Sequence, residues 1–239
     1  YWHLRAFSSR KDAETAKTAG LGAELVTQAD GLRIARIYRS DPELPSERAP
    51  LARPGVDARE GDVLTAINGR EVRNAADVAE ALANQAGRQV LLDLRRGQQA
   101  MKTVAVPVDD RSEAGLRYGD WEQSRRAQVL EKSQGRIGYL HLRAMGGNDI
   151  ADFAREFYTN INREGLIIDV RRNNGGNIDS WIIEKLLRRR WAFWTYEHAS
   201  PQFNMQQTFA GHLVVLIDER TYSDGETFAA GIKALKLAP

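Results

Sequence analysis

The chain has 239 residues, 42% of them apolar and 8% aromatic, enough to bury one large core or two ordinary ones, so an ordered globular protein is expected. Its 34 basic and 32 acidic side chains leave a net charge of +2, which excludes a global positive surface for nucleic acid or an anionic membrane. The absence of cysteine excludes disulfides, thiolate metal sites and cysteine nucleophiles, and leaves four histidines as candidate bases.

In chain order, residues 20 to 108 read as short strands separated by turns. "LRIARIY" (32–38) alternates, "DVLTAING" (62–69) is a strand running into a turn, "AADVAEALAN" (75–84) is helical, and "QVLLDLRR" (89–96) and "KTVAVPV" (102–108) are strands. The proline-rich "PELPSERAPLARPG" (42–55) is expected to be an exposed loop. The charged, aromatic stretch "DDRSEAGLRYGDWEQSRRAQVLEKSQG" is expected to lie across a domain junction. From residue 135 the texture changes: "RIGYLHLRAM" is a strand, "DIADFAREFYTNI" an amphipathic helix, "GLIIDVR" an apolar strand, "IDSWIIEKLLRRR" a helix, "HLVVLIDE" a strand and "GETFAAGIKALKL" a helix. The fold class expected is therefore mixed α/β: a β-rich domain, then an α/β domain with a largely parallel sheet of βαβ units. No apolar run approaches the roughly 18 residues that span a bilayer, and no start resembles a signal peptide. Because the sequence opens on Tyr1 and stops where a helical pattern ends, it is expected to be a piece of a longer protein.

In an open parallel sheet, sites form where strands end and loops enter helices. "RRNNGGN" (171–177) and "TYSDGE" (221–226) both sit at such places. If their strands are near neighbours, Gly175 or Gly176 can bring backbone N–H groups towards Ser223. A serine would then attack a carbonyl while donors from the glycine loop and from Asp224 face the oxyanion, each contributing about 3–4 kcal/mol. The competing reading is structural: Ser223 three residues before Glu226 has the spacing of a capping box, and Asn-Asn-Gly-Gly that of a turn. Asp224 suits the helix dipole under either reading. His, Asp and Glu show no metal-ligand spacing, so no metal and no cofactor are expected.

The stretches "GRIGYLHLRAM", "GLIIDVRRNNGGNIDSWIIEKL" and "VVLIDERTYSDGETFAAGIKAL" resemble the core protease region of the tricorn protease family, relatives of the C-terminal processing serine proteases. "REGDVLTAINGREV" (59–72) is similar to the strand and turn of the PDZ domain that this family carries, and "GLGA" (Gly20, Leu21, Gly22, Ala23) to the loop that receives a peptide carboxylate. The resemblance implies an N-terminal segment (1–19) with a candidate catalytic histidine, a PDZ-like peptide-binding domain (20–110) and an α/β serine protease core (111–239) cut short at its C-terminus. It implies Ser223 as nucleophile, the N–H groups of Asp224 and of Gly175 or Gly176 as oxyanion hole, and His3 as general base, although "YWHLRAFSSR" lacks the glycines of the family's segment. His141 suits a structural or substrate-lining role; His198, His212, Lys233 and Lys236 suit no catalytic one. The glutamate that orients the family's histidine lies beyond residue 239. The implied activity is hydrolysis of oligopeptides or unfolded polypeptides through an acyl-enzyme, the alternative being a non-catalytic peptide-binding module. The implied partners are a peptide substrate and, in the full-length protein, further copies of itself. The expected compartment is the cytoplasm, the alternative periplasmic or secreted.

Overall fold

The computed structural model describes residues 16–238, in two compact units that divide between Gln123 and Ser124.

The first unit runs β1 (Ala19–Gly20), β2 (Ala23–Gln28), β3 (Gly31–Ile37), β4 (Val63–Ile67), β5 (Arg70–Glu71), α1 (Ala75–Ala81), β6 (Val90–Arg96), β7 (Gln99–Ala105) and β8 (Val108–Asp109), and the long α2 (Asp110–Lys132) starts within it. Among the described residues its main sheet has the antiparallel order β2-β3-β4-β6-β7, with β5 folded back on β4. Alternation decides which face is inside: along β6 Val90, Leu92 and Leu94 are buried while the residues between them stay partly exposed. They pack with Leu32, Ile34, Leu64 and Ile67, and α1 adds Val78 to the same core. The α1 start is fixed by Asn74, whose Oδ1 accepts from the N–H groups of Ala76 and Asp77 at 2.9 and 3.1 Å.

One segment differs from its sequence reading, and the one expected across the junction contains the division between the units and is helical. The stretch 42–55 is not simply an exposed loop: Pro45–Glu47 and Pro50–Ala52 are 3-10 turns, and Ala49, Pro50 and Leu51 are buried. Proline at the first helical position loses no hydrogen bond, so composition that reads as loop can still cover a core. The stretch 109–135 is mostly the helix α2, with Asp109 accepting the Ser112 N–H at 2.8 Å as it starts. Gly115, Gly119 and a largely polar surface hide its periodicity; polar anchors hold its first half, Asp120 bonding Arg36 Nε and the Arg39 N–H, each at 3.0 Å.

The second unit runs β9 (Ile137–His141), α3 (Asp149–Thr159), β10 (Gly165–Asp169), α4 (Asp179–Leu187), β11 (Ala192–Tyr196), β12 (Ala199–Asn204), β13 (His212–Leu216) and α5 (Asp224–Ala234). β9, β10 and β13 form a parallel sheet with β10 in the centre. Their registers are unbroken: Asp169 lies opposite His141 on one side and Leu216 on the other, so the three strands end level. Leu140, Leu166 and Ile168 meet Phe153 and Phe157 of α3, Ile182 and Leu186 of α4, and Phe228 and Ile232 of α5 in one core. The hairpin β11–β12 is a separate two-stranded sheet that the sequence did not announce, since its aromatics (Trp191, Phe193, Trp194, Tyr196) are exposed rather than packed.

Candidate active site

Because the three parallel strands end level, the loops after β9, β10 and β13 leave the sheet along one edge. Main-chain bonds zip them together. The Met145 N–H donates to the Gly175 carbonyl at 2.9 Å and the Asn177 N–H to the Met145 carbonyl at 2.8 Å, a parallel bridge between Met145 and Gly176. The Tyr222 N–H donates to the Asn173 carbonyl at 3.0 Å, which fastens the serine loop to the glycine loop.

Ser223 sits on an exposed turn that the Gly225 N–H closes on the Tyr222 carbonyl at 3.0 Å. Its φ of 53° and ψ of −117° are the first corner of a type II′ turn, a position that glycine dominates. A serine held there is strained by on the order of 1–3 kcal/mol, and such outliers gather at functional sites. The capping-box arrangement read from the sequence is present, with the Ser223 side chain at the Glu226 N–H and the Glu226 side chain on the Ser223 N–H. Glu226 accepts the Ser223 N–H at 2.7 Å, but the Glu226 N–H donates to the Ser223 main-chain carbonyl at 2.8 Å. The side-chain oxygen lies near that N–H, as a capping box would place it, yet makes no cap hydrogen bond, because the carbonyl already takes the donor.

The two glycines have separate reasons. Gly175 has φ +80°, and a Cβ on it would lie 2.7 Å from the Ser223 Cβ and 3.2 Å from its Oγ, so its backbone is seated against the serine. A Cβ on Gly176 would overlap the Met145 carbonyl, which makes this residue the condition for the bridge. The Gly175 N–H donates to Asn173 Oδ1 at 2.8 Å, whereas the Gly176 N–H has no bond among the described residues. Asp224 opens α5, where first-turn N–H groups have no carbonyl partner within the helix. Its carboxylate lies in the first turn of α5, where it suits the helix dipole, but makes its hydrogen bonds elsewhere. It accepts the N–H groups of Ile178 and Asp179, each at 2.9 Å, at the start of α4, so one residue ties two helix N-termini together.

Asn173 was legible only as part of a turn, but it organises the site. Fully buried, it donates from Nδ2 to the Leu142 carbonyl at 2.7 Å while Oδ1 holds Gly175. Gly225 is the residue that fits above it, since a Cβ there would come within 2.9 Å of Asn173 Oδ1. His3 lies outside the described residues. His198 falls in the β11–β12 turn, His212 opens β13, and Lys233 lies within α5 with Lys236 just past its end.

His141 is buried, with Nδ1 on the Asp169 carbonyl at 2.8 Å. The Asp169 carboxylate, 3.9 Å away, is not an ion-pair partner for a charged imidazole, because burial pushes the His141 pKa below its ordinary value and outweighs that carboxylate. Asp169 itself is raised by burial but held lower overall by Arg171 and by Tyr139, whose hydroxyl donates at 2.7 Å. With the folded pKa of His141 depressed, the unfolded chain binds more protons below about pH 6.5, so stability must fall as pH drops through that value. Thermal melts between pH 7 and 5 are expected to show that decline, and His141→Gln to remove most of it.

Among the described residues, no group of three His, Asp or Glu side chains could hold a metal ion, and no helix is long and apolar enough to cross a membrane. Residues 19–110 match the family described as Tricorn protease PDZ domain, and residues 136–239 match Peptidase family S41. Over 227 residues the chain is 37% identical to Tricorn protease homolog 1 of Streptomyces coelicolor, covering 94% of this chain and 21% of that protein. It is 35% identical over 228 residues to a putative Tricorn-like protease C-terminal subunit of Sulfurisphaera tokodaii, covering 94% and 26%. Against the crystal structure of the tricorn protease it superimposes with a TM-score of 0.83 at 27% identity, over 93% of this chain and 22% of that one. The chain thus spans about a fifth to a quarter of the length of these relatives.

Proposed function

The chain belongs to the tricorn protease family within peptidase family S41, and from that premise we propose that it carries the nucleophile and oxyanion hole of a serine peptidase acting on peptides or unfolded polypeptides. The observation that carries this reading is the Ser223 backbone: a serine in a glycine's corner, exposed and pressed against Gly175 at the start of a helix. Ser223 Oγ attacks the scissile carbonyl carbon and gives its proton to a general base, proposed as His3. The base returns that proton to the leaving amine, and water then releases the acyl group by the same steps in reverse. The carbonyl oxygen, now an anion, is received by the N–H groups of Asp224 and Gly176. Gly176 is preferred to Gly175 because the Gly175 donor is already spent on Asn173.

The first unit, which matches the PDZ family, is proposed to hold a peptide along β2, an outer strand of its main sheet among the described residues. The full-length protein is proposed to be a homo-oligomer, as the resemblance implies, which sedimentation analysis would read directly. A fluorophosphonate probe is expected to label the full-length protein once per chain, with the adduct mapped by mass spectrometry to Ser223. No labelling, or labelling elsewhere, would overturn the peptidase reading.

A further inference from the structure

The loop Gly20–Ala23 has the features of a carboxylate receptor. Gly22 has φ +70°, with Ala49 and Pro50 so close that a Cβ would not fit, a glycine-only corner of the kind that can present main-chain N–H groups to an anion. In this structure a carboxylate is already there, and it is the chain's own. Glu113, in the first turns of α2, accepts the Gly22 N–H at 2.9 Å, and the Ala23 N–H adjoining it also favours its charged form. The absence of a side chain at Gly20 makes the room: a Cβ there would land on the Glu113 carboxyl group.

The same face of α2 explains how Glu113 is delivered. Residues 113, 117 and 120 recur at helical spacing, and all three bond the first unit. Arg117 Nε donates to the Tyr38 hydroxyl at 3.3 Å, and Asp120 pairs with Arg36 at 2.9 Å. The Tyr38 N–H in turn donates to the Gly22 carbonyl at 2.8 Å, so anchor and loop belong to one network. β1 pairs with β8 immediately before α2, Gly20 lying opposite Val108, which places the start of the helix beside the loop.

We propose that Glu113 is an internal ligand of the Gly20–Ala23 loop, occupying the place of a peptide's terminal carboxylate and keeping the receptor closed until the side chain swings out. The contact suits a displaceable competitor. Burial pushes the Glu113 carboxyl above its ordinary pKa, and the N–H bonds and Arg117 do not fully offset that burial. An ionised Glu113 therefore recovers solvation when it leaves, while the anchors at Arg117 and Asp120 keep α2 in place. The inference rests on the peptide-binding part of the proposed function and not on the serine chemistry.

The test uses full-length protein carrying Ser223→Ala, so that no turnover intervenes, with fluorescence anisotropy of a fluorescein-labelled random heptapeptide pool bearing free carboxylates and of the same pool amidated. Glu113→Ala is expected to bind the free-carboxylate pool at least tenfold more tightly than the Glu113 protein, with the amidated pool unchanged. Glu113→Gln, which keeps the shape and an acceptor oxygen, is expected to fall between them. Equal affinity of Glu113→Ala and the Glu113 protein for the free-carboxylate pool overturns the proposal, as does an equal gain for the amidated pool or no binding at all. A melt of each variant controls for folding: a gain in a variant whose melting temperature holds supports displacement, and a lowered melting temperature without a gain assigns Glu113 a purely structural role. Fluorophosphonate labelling, measured separately on protein with Ser223 intact, reports on the peptidase reading whichever way this result falls.

Discussion

Replacing Ser223 by glycine is expected to make the protein more stable and chemically inert in one step. The φ of 53° and ψ of −117° at this position are natural for glycine and cost a serine on the order of 1–3 kcal/mol. Glycine loses about 0.5–1 kcal/mol more in chain entropy on folding, so the net gain should be about 0.5–2 kcal/mol. For a chain of this size that is a rise in melting temperature of roughly 2–6 °C. Ser223→Ala keeps the strained backbone and removes only an exposed hydroxyl, so its stability should stay within about 0.5 kcal/mol of the parent. Both variants should lose fluorophosphonate labelling, and peptide turnover should fall by on the order of 10⁴ to 10⁶. If Ser223 were merely a helix cap, alanine would cost about 1 kcal/mol and glycine only a few tenths. A stable Ser223→Ala beside a more stable Ser223→Gly therefore distinguishes stored strain from capping, and calorimetry of the three proteins reads it.

Asn173→Ala should do the opposite, lowering both stability and reactivity. The truncation deprives the Leu142 carbonyl and the Gly175 N–H of their partners at a site with no exposure. Each unsatisfied group costs about 1–3 kcal/mol, so a loss of about 2–4 kcal/mol is expected. The freed Gly175 lies against Ser223, and a shift of the serine by about 1 Å can slow attack on the order of a hundredfold. Asn173→Asp separates the two bonds. It retains the acceptor for Gly175 but turns a second oxygen towards the Leu142 carbonyl, and burial raises its pKa. Its stability should therefore be greatest at low pH, where the carboxyl is protonated and can donate, and be lost as pH rises through the folded pKa. A pH-independent Asn173→Asp, or an Asn173→Ala that labels as fast as the parent, would remove Asn173 from the machinery.

Some of this was open to reading along the chain. The apolar run "GLIIDV" announced the buried central strand and "HLVVL" a parallel neighbour, and their alternation with amphipathic helices announced βαβ units, although β13 is an outer strand of its sheet and leaves Val214 exposed. The serine loop and the glycine loop could be placed after such strands. Other elements were hidden for definable reasons. α2 carries glycines and charge where a periodic apolar stripe would have marked it, and is anchored by Asp120 and Arg36 instead. The β11–β12 hairpin alternates against no core, and Glu113 meets Gly22 across 91 residues of sequence.

What the sequence determined by itself is local: which apolar, periodic segments are strands and helices, where Gly can turn, and that Ser223 and Glu226 stand at capping distance. Whether that serine caps or attacks was not local information, since S-x-x-E suits both roles. Tertiary structure adds what the motif lacks, level strand ends and a loop bridge from Met145 to Gly176 that seat the glycine loop against the serine. The type II′ corner then gave the Glu226 N–H to the Ser223 main-chain carbonyl, so the hydroxyl stands beside that N–H without a cap hydrogen bond of its own. The physical reason is that strain at a single residue persists only where surrounding contacts over-determine the backbone. Here those contacts come from Asn173 and Gly175, residues that reach Ser223 through the fold, and from Gly225 of the serine's own turn, which is packed on Asn173.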